Sequence, residues 1–359
     1  MALSIGIIGL PMSGRTTVFE AAAGGLKAAA PKPEAVHVGI AKVPDERIDR
    51  LSEMFKPQKT TYAEVKYLDL GASVKNISGE ALRELSAMDE LVSVVRAFKD
   101  DAVPHPQETV DAERDIEAMN LELTFSDLAI IERRLGKIEQ SMKAAKATDR
   151  PKILAEQELL LRLKAELEKD IPLRDVELSA EEEKSLSGYQ FLSAKPLLTV
   201  VNIGEEDLPS AARIEDEFSK RFAGRKRKLI ALCGKLEAEL AGMDEASAAE
   251  FRADYGLKET GLARTIRASY ALLDLISFFT VGPDEVRAWS ITAGMNAQAA
   301  AGKIHSDIER GFIRAEVVHY DDLMRTGTMA EAKKAGVLRL EGKTYTVKDG
   351  DIAHFLFNV

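Results

Sequence analysis

"LSIGIIGLPMSGRTTVFEAAAGG", residues 3–25, is the stretch on which the fold turns. "LSIGIIGL" (3–10) is a short apolar run closed by a glycine turn, the pattern of a buried strand. "TTVFEAAA" (16–23) starts a helix, and Gly24–Gly25 ends it. The loop between them comes within one residue of G-x-x-x-x-G-K-[ST]. Gly9 and Gly14 have the spacing and Thr16 the hydroxyl position, but Arg15 stands where lysine belongs. Backbone N–H groups around Met12–Thr16, including Ser13, can ring a phosphate at the positive end of the following helix. Arginine keeps the charge but exchanges a compact ammonium for a planar fork. On these residues alone two readings stay open: a phosphate cradle, or a glycine turn in a dinucleotide-type βα unit.

Working outward, "EVKYLDLGAS" (64–73), "KPLLTVVNIGEED" (195–207) and "KLIALCGK" (228–235) read as further strands ending in polar turns. Residues 80–98 carry Leu82, Leu85, Leu91, Val92, Val95 and Phe98, which reads as a helical stripe. Strands alternating with helices predict an α/β domain with a mostly parallel sheet. Asp69, at a strand end, is placed to hold Mg²⁺ beside the Thr16 hydroxyl, or to cap a turn. Asn202 and Glu205, flanking Ile203, form N-x-x-E where a base-reading loop would sit. Guanine-specific loops use N-K-x-D, so lengthening the acid and losing the lysine weakens the guanine clamp.

From 121 to 188 the chain is charged and helical. Leu128, Ile131, Leu135, Ile138 and Met142 follow a heptad seam. "ATDRPK" (147–152) interrupts it, and Ile153, Leu160, Leu163 and Leu167 resume it. Two such helices pair as an antiparallel hairpin, each covering the other's seam. From about 276 the tail turns β-rich, with "ISFFTVG", "EVRAWSITAG" and turn signals at "EGK" and "KDGD", around a helical "AQAAAGKIHSDIERG".

The bulk properties narrow the class. A chain of 359 residues has room for two or three cores. No apolar run of about 18 residues marks a membrane span, and the N-terminus lacks the pattern of a signal peptide, so a cytoplasmic protein without membrane association is expected. One cysteine, Cys233, excludes an intrachain disulfide, and five scattered histidines give no zinc pattern. A net charge of −10 argues against wholesale coating of nucleic acid. One local basic run, "KRFAGRKRK" (220–228), is either a solvated surface or a contact for RNA phosphates.

With these residues in hand the chain resembles the YchF family, the Obg-like ATPases of the translation-factor GTPase class. The likeness covers nearly the whole chain. It is most specific in "SFFTVGPDEVRAWSITAGMNAQAAAGKIHSDIERGFIRAEVVHYDDL" and "LEGKTYTVKDGDIAHFLFNV", with support from "VPDERIDRLSEMFKP" (43–57) and "VDAERDIEAMNLEL" (110–123). The resemblance implies an α/β P-loop NTPase domain of GTPase type over 1–120 and 195–275. Into it a coiled-coil hairpin (121–194) is inserted, and a C-terminal TGS domain of β-grasp type (276–359) follows. It implies a monomer that binds ATP, or GTP, with Mg²⁺ and associates with the ribosome. The nucleotide residues so implied are Gly9, Met12, Ser13, Gly14, Arg15, Thr16, Thr17, Asn202, Ile203, Glu205, Cys233, Gly234 and Lys235, with Thr16 and Asp69 on the metal. His105, in "DDAVPHPQE", falls where the family's proposed water-orienting histidine lies, and is otherwise a solvated loop histidine.

The departures gather in the nucleotide site. A family loop close to GLPNVGKST is "GLPMSGRTT" here, and DIAGL is "DLGAS", with Ala72 at the glycine that senses γ-phosphate. Residues 24–38, "GGLKAAAPKPEAVHV", hold no serine or threonine for the first switch. These changes spare the diphosphate cradle and damage the contacts to γ-phosphate and metal. The expected function is nucleotide binding with slow or impaired hydrolysis; the alternative is a non-hydrolysing ribosome- or protein-binding adaptor.

Overall fold

The computed structural model describes residues 3–22, 37–70 and 79–358. The expectations for the first switch up to residue 36 and for Ala72 lie outside them. Among the described residues twelve strands run in chain order as β1 (Leu3–Gly9), β2 (His37–Lys42), β3 (Lys59–Thr61), β4 (Glu64–Asp69), β5 (Glu90–Arg96), β6 (Leu197–Asn202), β7 (Arg227–Leu232), β8 (Leu275–Val281), β9 (Glu285–Thr292), β10 (Phe312–His319), β11 (Arg339–Glu341) and β12 (Asp351–Phe357). They form two six-stranded sheets, β2-β4-β1-β5-β6-β7 and β11-β10-β12-β8-β9-β3. By compactness the chain divides into one unit of residues 4–39 and 67–268 and another of residues 1–3, 40–66 and 269–359.

In the first unit β1, β5, β6 and β7 run parallel. Their residues are mostly apolar on both faces, as a sheet covered on both sides requires; every residue of β5 and of β6 is buried. The α/β expectation is thereby met. The helical stripe over 80–98 is corrected: helix α3 stops at Ser86, and Glu90–Arg96 is the strand β5. Leu and Val at these spacings fit a helix and a buried strand alike, and Val92, Val94 and Val95 tip the balance toward the strand. The helices needed below are α1 (Arg15–Ala22), α2 (Glu46–Phe55), α3 (Gly79–Ser86), α4 (Ala112–Ala144) and α5 (Arg150–Leu167).

α4 and α5 pair through the heptad seam. Ile131, Ile138, Leu160, Leu163 and Leu167 are buried together, with Leu128, Leu135, Met142 and Ile153 packed against them. Arg134 donates to Glu156 at 2.7–2.8 Å and Lys164 to Glu132 at 2.9 Å, a register that only antiparallel helices give. Asp111 caps α4 by accepting from the Arg114 N–H. Asp149 precedes α5 with Pro151 in its first turn, so the break at 147–152 is also a helix start.

Lower on α4, Asp127 is wholly buried and accepts the backbone N–H of Leu192 at 2.8 Å and of Ser193 at 2.7 Å. It tethers the return of the chain into β6. Burial pushes its carboxyl up to about 6, against the lowering effect of the hydrogen bonds from Ser193 and Leu192. A raised carboxyl pKa means that the folded protein holds its proton where the unfolded chain has lost it. Stability contributed by this group is therefore greatest below the unfolded value near 4 and is lost as pH rises through 6. Denaturant unfolding should show the wild type losing about 2 kcal/mol relative to Asp127→Asn between pH 4 and pH 7. A difference independent of pH would contradict this.

In the second unit α2 carries its N-cap Asp45, and Arg47 pairs with Asp45 at 2.8 Å and with Asp349 at 2.7 Å while lying over the Phe279 ring. β3 adds in parallel to β9. Residues 40–66 thus pack with the C-terminal sheet, a grouping with no composition shift to announce it. The core of that sheet gathers Phe278, Phe312 and Phe355 over Ala297, Ala300 and Ala301, with Trp289 packed at its margin. Among the described residues no helix is long and apolar enough to cross a membrane.

Candidate functional site

β1 closes on Gly9 and leads into the loop Leu10–Gly14, and at Gly9 and Gly14 only glycine fits. A Cβ on Gly9 would meet the Val94 carbonyl oxygen at 2.7 Å. Gly14 has φ +82°, and a Cβ there would lie 2.2 Å from Asn202 Nδ2. Met12 also sits at positive φ, 63°, and is more than half exposed. Ser13 N–H is spent on Leu10 O at 3.2 Å, which closes the turn. Val18 N–H donates to Gly14 O, so the first-turn N–H groups of Arg15, Thr16 and Thr17 have no acceptor within α1. That leaves the amides on the helix side of Ser13 as the anion-facing ones. The Ser13 hydroxyl is buried and has no hydrogen-bond partner among the described residues, a cost of about 1–3 kcal/mol that a phosphate oxygen would relieve.

Asn202 holds this loop in place. It is buried at the end of β6, donates from Nδ2 to Ser13 O at 3.0 Å and accepts the Gly234 N–H at 2.9 Å. One amide therefore staples the β1 loop to the turn after β7. The N-x-x-E reading gave Asn202 to the base; its amide also bridges the two loops, using one of its two N–H groups and one oxygen lone pair, and this second role needs the loops side by side, which spacing does not show. Ile203 is buried beneath it. Glu205 pairs with Lys235 at 3.0 Å, which raises the lysine's pKa through that hydrogen bond. Cys233 is buried, and burial pushes its thiol up.

A cavity of about 970 Å³ opens over these groups. Its wall is formed by residues 9–17, by Phe98, Lys99, Asp100 and Val103, by 202–206, and by Cys233 and Lys235. It lies at the carboxyl ends of β1, β5 and β6, where the order of the sheet reverses around β1, the usual ligand position in an open parallel sheet. The segment 98–103 was not among the expected site residues. Arg96 builds it: fully buried, it donates to Phe98 O at 3.2 Å and Val103 O at 2.8 Å and stacks on the Phe98 ring. A charged residue closing a buried strand was the signal available in the sequence.

His105 is not on the cavity wall. Its Nδ1 accepts the Gln107 N–H at 3.1 Å, so Nε2 carries the proton and donates to Asp115 of α4 at 2.9 Å. Asp69 is also off the wall and fully buried. Arg15 Nε lies 2.8 Å from its Oδ1, and the Thr16 hydroxyl donates to its Oδ2 at 3.3 Å. Both carboxylate oxygens are therefore engaged by the loop itself.

The same arrangement bears on Mg²⁺. Thr16 and Asp69 are close together, as a shared metal would require, but the carboxylate already holds a guanidinium. Among the described residues no group of three or more His, Cys, Asp or Glu gathers where a cation could sit. A Mg²⁺ ion that arrives with nucleotide takes only one or two protein ligands beside phosphate and water oxygens, so what counts against it here is the guanidinium already held on Asp69.

The chain is 40% identical over its full length, and over the full length of the relative, to "Ribosome-binding ATPase YchF" of Bacillus subtilis. This chain belongs to the YchF family. It is 37% identical to the Escherichia coli O157:H7 YchF protein of the same description, again end to end. Residues 275–358 match the family described as YchF-GTPase_C, Protein of unknown function (DUF933). The structure of the Schizosaccharomyces pombe YchF GTPase superposes with a TM-score of 0.84 at 30% identity, covering 99% of this chain and 97% of that one. The P-loop NTPase fold with its additional C-terminal domain is thus a YchF fold, and within it the basic run 220–228 lies largely among acids. Lys220 pairs with Asp216, Arg221 with Glu113, Arg225 with Glu177, Lys226 with Glu183 and Arg227 with Asp175.

Proposed function

We propose that this chain binds a nucleoside polyphosphate, ATP in preference to GTP, associates with the ribosome as a monomer in the cytoplasm, and hydrolyses nucleotide slowly. The observation that carries the reading is the glycine-gated loop of residues 9–14. It is stapled by Asn202 and opens, at the N-terminal turn of α1, onto a cavity of nucleotide size. The relatives' names support ATP hydrolysis and ribosome binding, and Glu205 in place of aspartate supports weak discrimination for guanine. In this reading 1–120 and 195–275 form the nucleotide domain, 121–194 the hairpin and 276–359 the TGS module. Gly9, Met12, Ser13, Gly14, Arg15, Thr16 and Thr17 serve the phosphates, and Ile203, Glu205, Cys233, Gly234 and Lys235 the base side. Calorimetric titration of the full chain with ATP, GTP and ADP tests it. ATP should bind more tightly than GTP; no heat from any of them at millimolar concentration would remove the proposal.

A second reading, an adaptor that binds nucleotide without turnover, is favoured by the Arg15–Asp69 pair, which ties up the carboxylate that a metal would use. The two readings differ at His105. If it orients water, it must first part from Asp115. Asp115→Asn should then raise turnover, and His105→Ala should lower it by about 10²-fold, with ATP affinity unchanged in both. No measurable turnover in the wild type or in either variant would leave the adaptor.

A further inference from the structure

Arg15 and Asp69 lie 54 positions apart, and the fold brings them together at the foot of the phosphate loop. Asp69 has no exposed surface, and the Arg15 side chain is 13% exposed. A buried carboxylate needs a cation beside it, and in this site the cation is supplied by the loop, not by solution. A lysine at position 15 would offer a single ammonium, to be shared between Asp69 and the phosphates. A guanidinium carries five donors on a rigid plane, so engaging Asp69 through Nε does not exhaust it.

We propose that Arg15 is a built-in counter-ion that takes the place of the divalent cation at Asp69, so that this site accepts nucleoside di- and triphosphates free of Mg²⁺. The inference rests on the nucleotide reading above. It follows from two features: the pairing of Asp69 Oδ1 with Arg15, and the use of Oδ2 by the Thr16 hydroxyl. A metal ion entering here would have to displace the guanidinium or sit against it, cation beside cation. Mg²⁺ therefore competes with this arrangement instead of completing it. The same arrangement would slow hydrolysis, because the guanidinium held at Asp69 is not free to follow the charge that develops in phosphoryl transfer.

The test is ATP and ADP binding to the full chain by calorimetry, in EDTA and in excess Mg²⁺, for the wild type and Arg15→Lys. The wild type should bind equally well, within about twofold, or better in EDTA, whereas Arg15→Lys should gain about tenfold or more from Mg²⁺. Mn²⁺ titration followed by electron paramagnetic resonance gives a second readout that needs no turnover. With ADP present, the wild type should leave Mn²⁺ with the spectrum of Mn²⁺–ADP in solution, and Arg15→Gln should immobilise it. A wild type that gains about tenfold from Mg²⁺, or that immobilises Mn²⁺, overturns the inference while leaving the nucleotide reading intact. No binding in either condition overturns the nucleotide reading and the inference with it.

Discussion

Gly14→Ala is expected to lower nucleotide affinity by about a hundredfold or more, the scale at which a displaced binding group is felt. Two costs act together. At φ +82° an L side chain is strained by about 1–2 kcal/mol. The added methyl would also fall 2.2 Å from Asn202 Nδ2, so the staple must open or the loop must shift. Either movement displaces the amides of Arg15, Thr16 and Thr17 from a common focus. Gly136→Ala is the internal control. Gly136 lies within α4, and a Cβ there meets nothing within 4 Å. That substitution should raise stability by up to about 1 kcal/mol and leave binding alone. Calorimetric titration and denaturant unfolding of both variants check the contrast; equal affinity in Gly14→Ala and the wild type would contradict it.

Asn202→Asp should be the most damaging isosteric change in the site. The remaining oxygen of the new carboxylate can still accept the Gly234 N–H. Its second oxygen, however, would face Ser13 O at the 3.0 Å now spanned by a donor. A carboxylate buried against a carbonyl oxygen costs about 3 kcal/mol or more. Unfolding of the nucleotide unit should move by that amount, and ATP binding should be lost at pH 7. Acidification should restore part of both, because protonation returns a donor to the Ser13 side. A variant with wild-type stability would show that Asn202 reads the base and does not hold the loops.

The contrast between these residues and Arg15 shows what was legible. Gly9, Gly14 and Thr16 announce themselves by spacing alone, because one strand, one turn and one helix contain the whole motif. The heptad seam from Leu128 to Leu167 was equally readable, since each helix carries its own period and its partner is next in the chain. Residues 80–98 were not, because a buried strand and a helical stripe share the same leucines and valines. With that strand misread, its exit, the Phe98–Val103 wall shaped by Arg96, was lost as well. Asn202 and the Arg15–Asp69 pair belong to a third kind. The residues stood out, but their roles depend on contacts across the sheet that no local pattern encodes. In both cases the partner is a group that sequence reasoning had assigned to the ligand or the metal.

The central claim is that the amides between β1 and α1 still grip a polyphosphate when position 15 carries a guanidinium. A crystal structure of the full chain with a non-hydrolysable ATP analogue, grown without divalent cations, tests it directly. The account predicts phosphate oxygens against the N–H groups of Arg15, Thr16 and Thr17, with Arg15 Nε still on Asp69. An empty cavity at saturating analogue, or a phosphate held only with a metal ion on Asp69, would contradict it.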